Sequence, residues 1–123
     1  MKQSTIDTYK INFYNKILDF DNKKEVQKVP DTNHQISIFL FEWSADDLTN
    51  YLLPKINDII NYTLAEFETG SNSIIVVIDP INTTFYPDEQ ANNFPVMPTQ
   101  DFREIVIAWR DFLLQPPLNG SRV

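Results

Sequence analysis

A chain of 123 residues with 42% hydrophobic and 13% aromatic content is long enough to bury one real core and too short for two comfortable ones, so a single domain over residues 1–123 is expected. The absence of cysteine excludes disulfide and thiol chemistry, and no stretch has the length of a membrane span or the pattern of a secretion leader; a soluble cytoplasmic protein is expected. The net charge of −7 is uneven: residues 1–33 carry six Lys against five acids, whereas residues 34–123 carry four basic residues against twelve acidic ones.

That acidic surface repels nucleic acid and anionic membranes, because both are bound by basic side chains that displace counterions. A basic protein partner suits it better, although the same charge also serves simply to keep a protein dissolved.

Taken in order, the chain opens ambiguously. Tyr9-Lys-Ile-Asn-Phe13 alternates apolar and polar, with Asn15 and Ile17 continuing the register of a strand. Ile6, Tyr9, Phe13, Ile17 and Phe20 also lie at helical spacing, and no cap decides. The strand is preferred because Thr8, Tyr9, Ile11 and Phe13 are strand-favouring types. Residues 19–34 are polar, with a Pro30-Asp31 turn signal, and read as a loop with a short edge strand.

Ile36-Ser-Ile-Phe-Leu-Phe-Glu-Trp43 reads as a strand buried in the middle of a sheet. Ser44-Ala-Asp-Asp47 has the form of a capping box at a helix start, followed by Leu48, Leu52, Ile56, Ile59, Ile60, Leu64 and Phe67 at helical spacing. Pro54 must interrupt that helix, because it lacks an N–H and clashes with the preceding turn; the main part is expected from Pro54 to Phe67, with Gly70 as its stop. Ile74-Ile-Val-Val-Ile78 is the clearest strand, and Thr83–Tyr86 makes a hairpin with it. Residues 87–98 read as a loop.

Residues 98–114, PTQDFREIVIAWRDFLL, set Phe102, Ile105, Val106, Trp109, Phe112 and Leu113 in one stripe at i, i+3, i+4, i+7, i+10 and i+11. This is the core-facing helix, with Thr99 expected to cap it, Asp101 at its positive end, Pro116-Pro117 ending it and a frayed tail over 116–123. The expected fold class is α+β: a mostly antiparallel sheet of about four to five strands with two main helices on one face. The other face is left partly exposed, and aromatics on it would be a recognition surface.

Catalytic signals are sparse. His34, the only histidine, has no evident partner, no serine has the surroundings of a nucleophile elbow, and two glycines cannot build a phosphate cradle. No metal or cofactor is expected. The acidic pairs Asp46-Asp47, Glu66/Glu68 and Asp88-Glu89 have plain explanations as helix N-terminal charge, a solvated helix end and a turn, although paired acids also serve hydrolases.

The segment from Met97-Pro-Thr-Gln-Asp-Phe102 to Trp109-Arg-Asp-Phe112-Leu113 resembles the closing helix of small bacterial immunity proteins. The preceding blocks ISIFLFEW and SIIVVIDP running into TTFYPDE are similar in order to immunity proteins of contact-dependent growth inhibition and related polymorphic toxin systems, a likeness over residues 36–114. The resemblance implies a non-enzymatic, monomeric inhibitor of a cognate toxin C-terminal domain, a basic nuclease being the expected kind. The expected partner-binding residues are Asp46, Asp47, Glu66, Glu68, Tyr86, Asp88 and Glu89, with Tyr86 as aromatic anchor. A non-toxin interaction module or subunit of a cytosolic complex is the alternative, and a small enzyme, which requires an enclosed pocket with perturbed acids, is a third.

Overall fold

The structure, a computed structural model, describes residues 1–87 and 93–116. Asp88 and Glu89, and the tail from residue 117 onward, lie outside the described residues. The elements are α1 (Gln3–Tyr9), β1 (Asn12–Phe20), β2 (Lys23–Asp31), α2 (Ile36–Phe41), α3 (Ala45–Asp47) passing through a π-turn (Leu48–Leu52) into α4 (Leu53–Ile60), β3 (Phe67–Gly70), β4 (Ile75–Ile78), β5 (Asn82–Tyr86), β6 (Val96–Pro98) and α5 (Thr99–Leu114). β1 and β2 form an antiparallel ribbon of their own, while β3-β4-β5-β6 make a four-stranded antiparallel meander. The class is α+β, with the strands divided between two sheets.

The stripe on α5 organises the core as its spacing requires: Phe102, Ile105, Val106 and Trp109 are buried, and Phe112 and Leu113 pack against the same cluster. Trp109 sits 5.0 Å from the Phe13 ring and donates its indole N–H to the Leu40 carbonyl at 3.2 Å. Lys28 of β2 donates to the carbonyls of Phe112 and Gln115 and lies over the Phe112 ring, so a cation satisfies the orphan acceptors at the helix end. Burial pushes the Lys28 ammonium below its ordinary pKa. The start of α5 differs from expectation. Thr99 makes no cap for its own helix; its hydroxyl donates to the Asp79 carbonyl at 2.6 Å, its N–H to Ile81, and the buried Thr83 hydroxyl pairs with it at 2.9 Å. These bonds dock α5 on the β4–β5 turn.

The first twenty residues satisfy both readings in succession. Tyr9 is buried on α1, Lys10 turns the chain at φ 52°, and Phe13 packs from β1, so the strand begins at Asn12 and not at Tyr9. The region read as a loop with a short edge strand is mostly strand: β2 runs nine residues and pairs with β1 over its whole length. Asp21 and Asn22, both at positive φ, make the two-residue turn, a conformation their short polar side chains tolerate.

The largest correction concerns residues 36–41, which are helix α2 and not a strand. Ile36, Phe39 and Leu40 are fully buried at i, i+3 and i+4, while Ile38 and Phe41 are exposed. The strand-favouring composition is overridden by that one-sided burial and by the turn before it. The Ile36 N–H donates to His34 Nδ1 at 3.1 Å, and Thr32 Oγ1 bonds both Ser37 Oγ and the His34 backbone.

Ser44 caps α3 as expected, accepting from the Asp47 N–H at 3.1 Å. Pro54 produces the expected interruption in a specific form: the turn before it widens to π geometry, with the Leu53 N–H reaching Leu48 O, and Pro54 falls in the first turn of α4. The helix ends at Ile60, not Phe67. Thr63 N–H bonds Asp58 O at 2.9 Å and Tyr62 N–H bonds Ile59 O at 3.0 Å, a Schellman closure with Tyr62 at φ 61°. Because a side chain there is strained, Tyr62→Gly raises stability by about 0.5–1 kcal/mol in urea unfolding, a gain that a strain-free site would not give. Gly70 is not a helix stop. It ends β3, where a Cβ would approach the Ile74 carbonyl to 2.5 Å. The loop read over 87–98 supplies the short strand β6 in its described part.

Candidate functional site

The meander has two unlike faces. Val76, Ile78, Thr83, Phe85 and Met97 point inward and are buried beneath the helices. Cross-strand pairing places the alternate residues together on the outside: Gly70, Ile75 and Tyr86 form one row, and Glu68, Val77, Thr84 and Val96 the next. This face is apolar yet uncovered, with Ile75 50%, Val96 49% and Tyr86 37% exposed. Phe94 stands 4.8 Å from the Tyr86 ring, completing an aromatic pair at one side. The expectation of an exposed sheet face carrying aromatics corresponds to this surface.

The row through Ile75 ends at Gly70, which also lines a cleft of about 440 Å³ along the β3 edge. One side of the cleft is Glu42, Trp43, Asp47 and Tyr51 from the helical layer; the other is residues 69–72. The Trp43 and Tyr51 rings stack at 6.2 Å with only 16° between their planes. Each is braced from behind, Trp43 by Phe39 at 5.2 Å and Tyr51 by Phe67 at 5.8 Å. Glu42 accepts from the Ser73 N–H at 3.2 Å. The Ser71 hydroxyl, though short of ideal bonding geometry, does most to hold the Glu42 carboxyl below its usual range, with Ser73 and the Asn72 backbone adding to it against some desolvation. On the far side of Glu42 lies a more apolar groove of about 540 Å³ bordered by Ile38, Phe41 and Pro30.

The residues proposed from sequence are divided among these features. Asp47 lines the cleft, and Asp46 is exposed beside it in the first turn of α3. Glu68 and Tyr86 lie on the outer sheet face. Glu66 is exposed in the turn before β3 and not at a helix end, since α4 stops six residues earlier. Asp88 and Glu89 lie outside the described residues. Sequence reasoning missed Glu42, Trp43 and Tyr51 in the cleft, and Phe94 on the sheet. Reading 36–43 as a strand separated Trp43 from Tyr51; the helix before Ser44 is what turns both toward β3.

His34 has a structural task. Its ring lies 4.8 Å from Phe85 and 5.9 Å from Tyr9 and receives the Ile36 N–H on Nδ1, which leaves the proton on Nε2. Nε2 has no partner of good geometry; the Val96 backbone favours a proton there, but burial outweighs it and lowers the pKa from 6.5. The unfolded chain therefore takes up the proton first as pH falls, so stability is full above the ordinary histidine pKa and declines as pH drops below it. Urea unfolding is expected to show a lower midpoint at pH 5.5 than at pH 7.5, and His34→Gln to lose that difference; an unchanged slope in the variant assigns the decline to other groups. The Tyr9 hydroxyl, pushed upward by burial and by its 2.7 Å bond to Asp101, titrates far above this window.

Among the described residues no group of three or more His, Cys, Asp or Glu side chains is placed to hold a metal, and no helix is long and apolar enough to cross a membrane. Comparison of the chain with protein-family models, curated proteins and solved structures finds no match. Of the blocks that carry the resemblance to immunity proteins, SIIVVIDP, TTFYPDE and the closing segment contain the expected strands and helix, whereas ISIFLFEW contains helix α2.

Proposed function

We propose that this protein is an immunity protein: it binds a cognate toxin domain and neutralises it by covering a basic active-site or substrate-binding face. The observation that carries the reading is the outer face of the meander. It is an apolar surface with the aromatic pair Tyr86–Phe94, left uncovered by the protein's own helices; Glu68 lies on it, Glu66 precedes β3, and Asp47, with Asp46 next to it in α3, lines the cleft at the β3 edge. Among the described residues the one ion pair is Arg110–Asp111, so none of these four carboxylates has a cation of the described residues within bonding distance. An apolar, aromatic centre with a charged rim is how protein interfaces divide their work, the centre supplying affinity and the rim steering the encounter.

The test is to purify the chain with the polypeptide tail encoded immediately upstream, measure affinity by calorimetry at two salt concentrations, and assay the tail for nuclease activity with and without this protein. Immunity predicts tight binding that weakens with salt and abolishes the activity. Tight, salt-insensitive binding keeps the inhibitor and confines the site to the sheet centre. A harmless tail, or one that does not bind, replaces this reading with that of a non-toxin interaction module.

A further inference from the structure

We infer that the cleft at the β3 edge is a receptor for one arginine side chain of a basic partner, with Glu42 and Asp47 receiving the guanidinium and the Trp43–Tyr51 wall flanking it. The argument is one of complementarity. The open cleft of about 440 Å³ has room for one long side chain together with the waters around it. Its lining contains two carboxylates and no lysine or arginine. An anion is therefore repelled, and among the described residues no third acid or histidine completes a metal site.

Two features prefer a guanidinium to an ammonium. Trp43 and Tyr51 both line the cleft with their planes 16° apart, and a flat, weakly hydrated guanidinium packs against aromatic rings over more of its surface than a compact ammonium does. Glu42 is oriented before any ligand arrives, tethered to the Ser73 N–H on the opposite bank, so a fork of N–H donors meets a fixed acceptor. The opposite bank, residues 69–72, is low at one point. Gly70 has no side chain and cannot gain one without meeting the Ile74 carbonyl. The aromatic wall is backed by Phe39 and Phe67, so its position is set by the core.

The assignment rests on the reading above only for the partner's identity; the cleft itself is testable without one. The two tryptophans make it convenient, because Trp43 lines the cleft and Trp109 is buried in the core. Titration of the full chain with Ac-Gly-Arg-Gly-NH2, followed by NMR at both indole N–H groups, is expected to move Trp43 saturably at millimolar peptide and leave Trp109 unmoved. The lysine peptide binds more weakly, and the citrulline peptide, isosteric but neutral, does not saturate. Glu42→Gln combined with Asp47→Asn weakens the arginine peptide by about tenfold in a chain that stays folded with a slightly lower melting temperature, since the exposed pair also gives up a charge-assisted bond to the Ser73 N–H and an acid in the first turn of α3. No saturable shift at Trp43, or equal shifts from the arginine and citrulline peptides, overturns the assignment. Should the upstream tail prove harmless, the peptide result still stands and only the partner is lost. Should a toxin be neutralised equally well by the double variant, immunity stands and the cleft is removed from its interface.

Discussion

Trp109→Ala lowers the unfolding free energy by about 3–5 kcal/mol, enough to consume much of the stability of a domain this size. Three separate losses combine. The indole is 2% exposed, so its removal opens a cavity among rigid neighbours. Phe13 loses its edge-to-face contact at 5.0 Å and Phe112 its stacked contact at 5.7 Å, which loosens the ribbon as well as the helix end. The Leu40 carbonyl loses a side-chain donor at the end of α2. Trp109→Phe keeps the ring and much of the volume but not the N–H, and is expected to cost about 1–2 kcal/mol. Urea unfolding of both variants, with the midpoint shift converted through the common slope, checks the order. A cost below about 1 kcal/mol for the alanine variant contradicts the packing described, since a site able to collapse that far cannot be the close-packed centre of this core.

The elements that could be read from sequence are those whose own residues decide them. Residues 99–114 form a helix because six apolar side chains keep one register, and 75–78 a strand because branched residues run uninterrupted between polar ends. Where distant partners decide, the local pattern shows only part of the element or the wrong one. β2 is polar because it belongs to a two-stranded ribbon with little sheet behind it, so no alternation marks it; Asp21-Asn22 was its only local signal. Leu64 and Phe67 continue the helical spacing of α4 but pack on the core from a turn and from β3, after Tyr62 has already reversed the chain. The candidate site follows the same rule. Tyr86 and Glu68 were nameable as an exposed aromatic and an acid, whereas the cleft joins residues 42–51 to residues 69–72, which meet only across the β3 edge.

Residues 36–41 offer the sharpest contrast between the two readings, and Phe39 and Phe41 decide it. In a strand, positions two apart share a face, so both rings would be buried together or exposed together. In α2 they are separated: Phe39 is 0% exposed and touches Trp43 at 5.2 Å and Phe102 at 5.7 Å, whereas Phe41 is 50% exposed at the margin of the apolar groove. Phe39→Ala is therefore expected to cost about 3–5 kcal/mol, and Phe41→Ala within about 0.5 kcal/mol of nothing. Equal costs would restore the strand. The same pair separates stability from binding, because Phe39 braces the ring of Trp43 from the core side. A milder change, Phe39→Leu, keeps the chain folded at a cost of about 1–2 kcal/mol while loosening that support. It should weaken the arginine peptide at Trp43, as a receptor wall positioned by the core requires, and Phe41→Ala should leave that titration unchanged, since Phe41 lies beyond Glu42 and outside the cleft.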